Sequence, residues 1–472
     1  MLLIFLALSW AAALPASAQD SPFPPGFQQS QLADPVSGLP VQVALSRKPG
    51  APWVVLIHGL GQQAARDWLP VLPALAADYQ VMVFDLPGFG ASPAPDAALT
   101  PTGFADLVHS LVSRQTEEPV FVVGHSLGGA IALRYAYAYP QQVRRLMLID
   151  VAGMLQTTVF TRYLSRLPDH VDQVPLLNPL VRAGSTVLNQ ISGHLQDLMA
   201  GNASTMSALA GSDRARGLLY KDQSQINAAL GLVNEDFSPV IRELKLPVRL
   251  LWGGRDPVAP LRTGIALAWL LPQAHLDVLP EVGHVPMSDA AAATSAWLLA
   301  ALREPLPPAP VQDEASQGDG RCKKQNNVVF RGRWRSLSLD RCNNARIEDV
   351  MVESLQVRHS SVTMKNVSIH SASVALDVSD SSIIATGMRI EAEQAWRLEH
   401  SRVDMAAFTL AAPKLGSQKG GSRLFLSLGH WCDGDADWRL HGVWTPSNGE
   451  LDAQLRSRRD GDCRRDAAPG SP

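Results

Sequence analysis

The stretch Val120-Phe121-Val122-Val123-Gly124-His125-Ser126-Leu127-Gly128-Gly129 decides the fold of this chain. Its first four residues are apolar and mostly β-branched, as in a strand buried on both faces. Residues 130–138 then read as a helix. A strand that turns at once into a helix needs small neighbours at the bend, and Gly124, Gly128 and Gly129 supply them. Such a bend lifts the serine hydroxyl clear of the sheet, where it can serve as a nucleophile. The same residues could form a glycine-rich turn with no chemistry. The strand before them and the helix after them favour the nucleophile.

Outward from this point, short apolar runs recur at 54–57, 81–84, 146–149, 248–252 and 275–279. Helical patterns such as 262–270 lie between them. The alternation predicts a parallel sheet with helices on both sides, an α/β fold. Residues 19–50 read as a leader into that fold, with Pro22, Pro24 and Pro25 breaking any early helix. From about 153 to 242 the pattern is helical without a clear strand, so an inserted helical cap is expected there.

A serine hydroxyl needs a base to take its proton, and histidine titrates near neutral pH. The chain has 12 histidines, so position must select one. His284, in Gly283-His284-Val285-Pro286, follows the last predicted strand and suits a loop at the sheet's carboxyl edge. His58 and His125 are rivals, but each sits inside another motif. The imidazole needs an orienting carboxylate. Asp256 follows the strand at 248–252. Asp150, after an earlier strand, is the rival, while Asp277 and Asp289 are less well placed. The backbone N–H groups of Leu127 and Leu60 are the expected oxyanion donors. Gln62, His125, Met154 and Phe160 are candidate substrate contacts. Apolar cap residues such as the last two would favour an apolar acyl or alcohol group. This chemistry requires no metal and no organic cofactor.

Five motifs occur in the chain: H-G-L-G-Q from His58, D-L-P-G-F-G-A-S from Asp85, G-H-S-L-G-G from Gly124, W-G-G-R-D-P from Trp252 and G-H-V-P from Gly283. With them the sequence resembles the α/β-hydrolase superfamily over roughly residues 36–303. The closest likeness is to its capped branch of esterases, lipases and carbon–carbon bond hydrolases. The resemblance implies the α/β-hydrolase fold with a helical cap and a triad in the order Ser126, Asp256, His284. Related dehalogenases and epoxide hydrolases use an aspartate nucleophile, and Ser126 stands in its place here. Carbon–carbon hydrolases tend to show H-G-G-G-P-G, from which this chain departs at Leu60 and Gln62. The expected activity is therefore hydrolysis of a small-molecule or lipid carboxylic ester.

The rest of the chain lies outside that pattern. Its 472 residues exceed one ordinary core, and 46% hydrophobic with 18% charged residues is a globular composition. A net charge of −3 gives no general attraction to nucleic acid or anionic membranes. Residues 1–18 read as a secretory signal, with an apolar run and Ala16-Ser17-Ala18 before Gln19. The mature chain is then expected in the periplasm or outside the cell, without a transmembrane span. Residues 304–320 read as a proline-rich and then polar linker. Beyond it, four blocks align at about twenty residues: Leu337-Ser338-Leu339, Leu355-Gln356-Val357, Leu376-Asp377-Val378 and Trp396-Arg397-Leu398. That period predicts an all-β solenoid of the parallel β-helix type over 321–472, with a β-sandwich as the alternative. Such a domain could hold envelope polysaccharide or a partner protein. The four cysteines, Cys322, Cys342, Cys432 and Cys463, suggest two disulfides in an exported chain. The pairing Cys322–Cys342 and Cys432–Cys463 keeps each loop local.

Overall fold

Apolar runs build the first sheet of the computed structural model, which describes residues 21–155, 212, 213, 217, 220, 222–305, 317–434 and 437–444. In chain order the elements are β1 (Phe27–Ala33), β2 (Pro40–Ser46), β3 (Trp53–Ile57), α1 (Leu72–Ala76), β4 (Gln80–Phe84), α2 (Pro101–Ser113), β5 (Val120–His125), α3 (Leu127–Ala138) and β6 (Val143–Ile149). After the cap interval come α4 (Ser224–Asn234), α5 (Ser238–Glu243), β7 (Val248–Gly253), α6 (Leu261–Leu270), β8 (Ala274–Leu279), α7 (Pro286–Asp289) and α8 (Ala291–Arg303). The strand order is β1-β2-β4-β3-β5-β6-β7-β8. β1 and β2 pair antiparallel, as do β2 and β4, and the remaining pairs are parallel.

The central strands are buried on both faces, and their side chains part by alternation. Val54, Leu56, Val123, Met147, Ile149 and Leu251 join one apolar cluster. Val55, Ile57, Val122, Leu146, Leu148 and Leu250 join the other. Burial on both sides explains why the sequence shows continuous apolar runs rather than alternation. The parallel strands also place the ends of β5, β7 and β8 on one edge, where an open α/β sheet binds its ligands.

One expectation needs correction. Residues 27–46 are not a leader but an antiparallel strand pair at the edge of the sheet. Val41, Val43 and Leu45 are buried against the core, and their alternation is the strand signal. The prolines at 22, 24 and 25 precede β1 rather than interrupt it. Of the cap interval, α4 and α5 are described. Asn227 in α4 fastens it to the loop before α2: its Oδ1 accepts from Leu99 N–H at 3.1 Å and its Nδ2 donates to Ala97 O at 3.0 Å.

The second sheet has nine strands and is mixed: β9 (Asp319–Lys323), β10 (Val329–Asp340), β11 (Ala345–Arg358), β12 (Ser361–Ser379), β13 (Ser382–Glu399), β14 (Arg402–Ala411), β15 (Lys414–Lys419), β16 (Arg423–Cys432) and β17 (Asp437–Trp444). All neighbours pair parallel except β16 with β17. The aligned sequence blocks are register partners: Leu337 pairs with Leu355, Leu355 with Leu376 and Leu376 with Trp396. A disulfide joins Cys322 to Cys342. Cys432 is disulfide-bonded too, while Cys463 lies outside the described residues. Among the described residues no helix is long and apolar enough to cross a membrane.

Each successive corner of this sheet turns through a residue with positive φ, at Arg341, His359, Asp380 and His400. A buried ladder follows. The backbone N–H groups of Cys342, Ser360, Ser381 and Ser401 donate to the hydroxyls of Ser360, Ser381, Ser401 and Ser422. The first three of those hydroxyls donate in turn to the carbonyl two residues earlier. Ser381→Ala would leave the Ser360 N–H buried without its acceptor. It should cost about 1–3 kcal/mol, read as a lower midpoint for unfolding of the C-terminal sheet in urea.

Candidate active site

Ser126 sits at the bend between β5 and α3 with φ 54° and ψ −117°. That conformation is unfavourable for a residue with a Cβ, by about 1–3 kcal/mol. The surrounding backbone holds it: Ser126 N–H donates to Ile149 O at 3.0 Å, and Gly129 N–H donates to Ser126 O at 3.0 Å. Glycine is required nearby for close approach. A Cβ at Gly128 would lie 2.1 Å from Ile57 O, and one at Gly59 would lie 2.9 Å from Ser126 Cβ. The loop carrying Leu60 therefore presses directly against the serine, and Leu127 opens α3 immediately after it.

The edge of the sheet brings together residues from three loops. His284 Nε2 lies 3.0 Å from Ser126 Oγ, and His284 Nδ1 lies 2.7 Å from Asp256 Oδ2. The other Asp256 oxygen accepts from the N–H groups of Val258 at 2.7 Å and Ala259 at 2.9 Å. With its side chain fully enclosed, Asp256 is held rigidly as an acceptor for the imidazole. The pair can orient the ring, and the ring can take a proton from the hydroxyl. Both nitrogens of His284 are thus engaged. Oxygen or nitrogen atoms of His125, Asp150 and His284 lie within 4.8 Å of one another, with the His284 nitrogens facing Ser126 and Asp256 and His125 Nε2 facing the His284 carbonyl.

The other sequence-derived candidates have definite places. His125 is buried, with Nε2 at 2.7 Å from the carbonyl of His284. Burial and the neighbouring His284 push its pKa down to about 3. It is neutral, donates to that carbonyl and holds the His284 backbone. His58 is buried and neutral for the same reason: its Nδ1 donates to Gly59 O at 2.7 Å, and its Nε2 accepts from Leu86 N–H at 2.9 Å. Asp277 is occupied by Arg249 and by the Trp297 indole. Gln62 is exposed. Met154 is buried in the core of the first sheet. Phe160 lies outside the described residues.

A family description, the alpha/beta hydrolase fold, matches residues 52–291. The chain belongs to this family. Residues beyond 291 lie outside the match, so the second sheet is not part of the shared fold. An uncharacterized protein of Mycobacterium tuberculosis is 30% identical over 253 residues, 50% of this chain and 71% of that protein. A pimeloyl-[acyl-carrier protein] methyl ester esterase of Chromobacterium violaceum is 32% identical over 244 residues, 50% of this chain and 88% of the esterase. The crystal structure of a hydrolase from Pseudomonas aeruginosa superposes with a TM-score of 0.44 at 21% identity, covering 58% of this chain and 98% of that one.

Two further buried carboxyl groups lie near the site: Asp150, the rival acid of the sequence reading, and Asp67, which carries no recognisable sequence signal. Asp67 is buried against the His58–Gln62 loop: a Cβ at Gly61 would lie 3.1 Å from its Oδ2. Burial pushes its pKa up to about 6, against the opposing pull of His284. Asp150 is fully buried after β6, and its Oδ1 accepts from Gly253 N–H at 2.8 Å. Burial, reinforced by the Asp256 charge, drives its pKa well above the usual carboxylate range. Asp150 therefore keeps its proton in the folded chain while the unfolded chain ionises above about pH 4. Its contribution to stability falls as pH rises through that range. Asp150→Asn removes the difference. The variant's thermal midpoint should match the parent's below pH 4 and exceed it increasingly toward pH 8, in a melting series across that range.

Proposed function

We propose that this α/β-hydrolase is a serine hydrolase that cleaves carboxylic esters. The observation that carries the reading is the unbroken hydrogen-bonded line from Ser126 Oγ through His284 to Asp256. His284 takes the proton of Ser126 as the oxygen attacks the ester carbonyl. The N–H groups of Leu127 and Leu60 receive the oxyanion. Collapse expels the alcohol, which takes the proton from His284 and leaves an acyl-serine. Water then attacks the acyl group, giving its proton to the same imidazole, and the acid departs with Ser126 restored. Asp256 keeps one tautomer of the ring throughout. No step calls for a cofactor.

Similarity to the pimeloyl-[acyl-carrier protein] methyl ester esterase at 32% identity supports an ester substrate. Disulfide bonding at Cys322, Cys342 and Cys432 supports an oxidising compartment such as the periplasm or the exterior. We read the second sheet as a parallel β-helix. Its support is the in-register stacking of successive blocks and the serine ladder at one corner.

Ser126→Ala should lower hydrolysis of a short nitrophenyl ester by about 10⁴-fold or more, with an unchanged far-UV spectrum. The parent should be labelled at Ser126 by a fluorophosphonate and the variant should not. Undiminished hydrolysis by the variant would rule out the assigned nucleophile.

A further inference from the structure

Arg262 is the second residue of α6, yet its side chain leaves the first sheet altogether. The guanidinium is buried in the second sheet. Nε donates to Thr386 Oγ1 at 2.8 Å, Nη1 to Asp404 Oδ1 at 2.8 Å, and Nη2 to Ala385 O at 2.9 Å and Asp404 O at 3.1 Å. The two charged side chains are only 8% and 4% exposed. A pair so fully removed from water is sustained only by near-complete hydrogen bonding, and such a pair admits little change of geometry.

The rest of the α6 face agrees. Ala266 is buried, and Trp269 lies so close to Gly387 that a Cβ there would be 2.8 Å from the indole. Residues 262, 266 and 269 share one side of a helix. Leu155, just after the β6 loop, is buried with Ala406 and Phe425. The segment after β6 and the helix α6 thus both lean on the second sheet.

Arg262 also follows closely on the acid. Asp256 is gripped by the N–H groups of Val258 and Ala259, and Trp252 Nε1 donates to Ala259 O at 2.8 Å. Pro260 then leads into α6. Displacement of the first turn of α6 would move the amides that hold the carboxylate. We propose that the second sheet is a positioning element of the catalytic site, with the Arg262–Asp404 lock fixing the loop that presents Asp256 to His284. The proposal rests on the reading of Asp256 as the acid of a hydrolase. It makes the C-terminal region a working part of the enzyme rather than a module tethered to it.

The test uses the full chain with Asp404→Asn, which preserves shape but removes the charge, and Thr386→Val, which removes one of the four bonds. Two readouts are taken: kcat and KM on a short nitrophenyl ester, and the low-field proton resonance of His284 Nδ1–H. Asp404→Asn should lower kcat about tenfold, leave KM within about twofold, and shift or broaden the low-field proton. Thr386→Val should fall between it and the parent, and it decides the matter on the same readouts should Asp404→Asn fail to fold. A lowered melting temperature with parental kcat and an unmoved proton would overturn the proposal, leaving the contact as mere attachment. If the parent cleaves no ester but the proton still moves in the variants, the ester reading fails and the positioning role stands.

Discussion

A left-handed backbone at one serine holds the site together. Ser126 keeps φ 54° because β5 is clamped between β3 and β6 and because α3 lies hard against Ile57 through Gly128. Relaxation of the bend would need a central strand or a buried helix to move, and dense packing on both faces resists that. The hydroxyl is therefore presented at the sheet edge at the expense of local strain, which burial elsewhere offsets. The neighbouring groups are arranged around this point: His58 ties the β3 loop to the β4 loop, and His125 holds the backbone of His284.

Electrostatic order at the site comes from burial used selectively. Asp256 and Asp150 lie after adjacent strands, and their surroundings separate them. Two amides and an imidazole satisfy Asp256 as an acceptor. Asp150 is more deeply enclosed, feels the charge of Asp256 and retains its proton. Two nearby buried carboxyl groups cannot both ionise cheaply, so one acts as the charged partner of His284 and the other as a neutral prop. The same logic makes both His58 and His125 neutral hydrogen-bonding struts.

Much of the first sheet was legible. Its central strands are continuous apolar runs with both faces covered, whereas the run at 275–279 forms the half-buried edge strand β8. The edge pair β1 and β2 is less legible, because Pro22, Pro24 and Pro25 point to irregular chain while the strand signal is confined to the alternation at Val41, Val43 and Leu45. In the second sheet the block alignment is reproduced pair by pair in the strand register, since a recurring spacing near twenty residues and stacked apolar positions are one constraint expressed twice. Asp67 had no signal. It is a single carboxyl on a short 3-10 turn beside Ala64, Ala65 and Trp68, and only the approach of Gly61 and the fold around it make it a buried group.

Local patterning alone determined the strand–turn–helix at Ser126, the candidate residues Asp256 and His284, and the repeat spacing beyond residue 330. These depend on backbone sterics and on periodicity, which act over a few residues. Tertiary structure decided which carboxyl meets the imidazole, which histidines are neutral and where Arg262 goes. Those outcomes depend on desolvation and on distances between groups more than a hundred residues apart, such as Arg262 and Asp404, and neither quantity exists until the chain is folded.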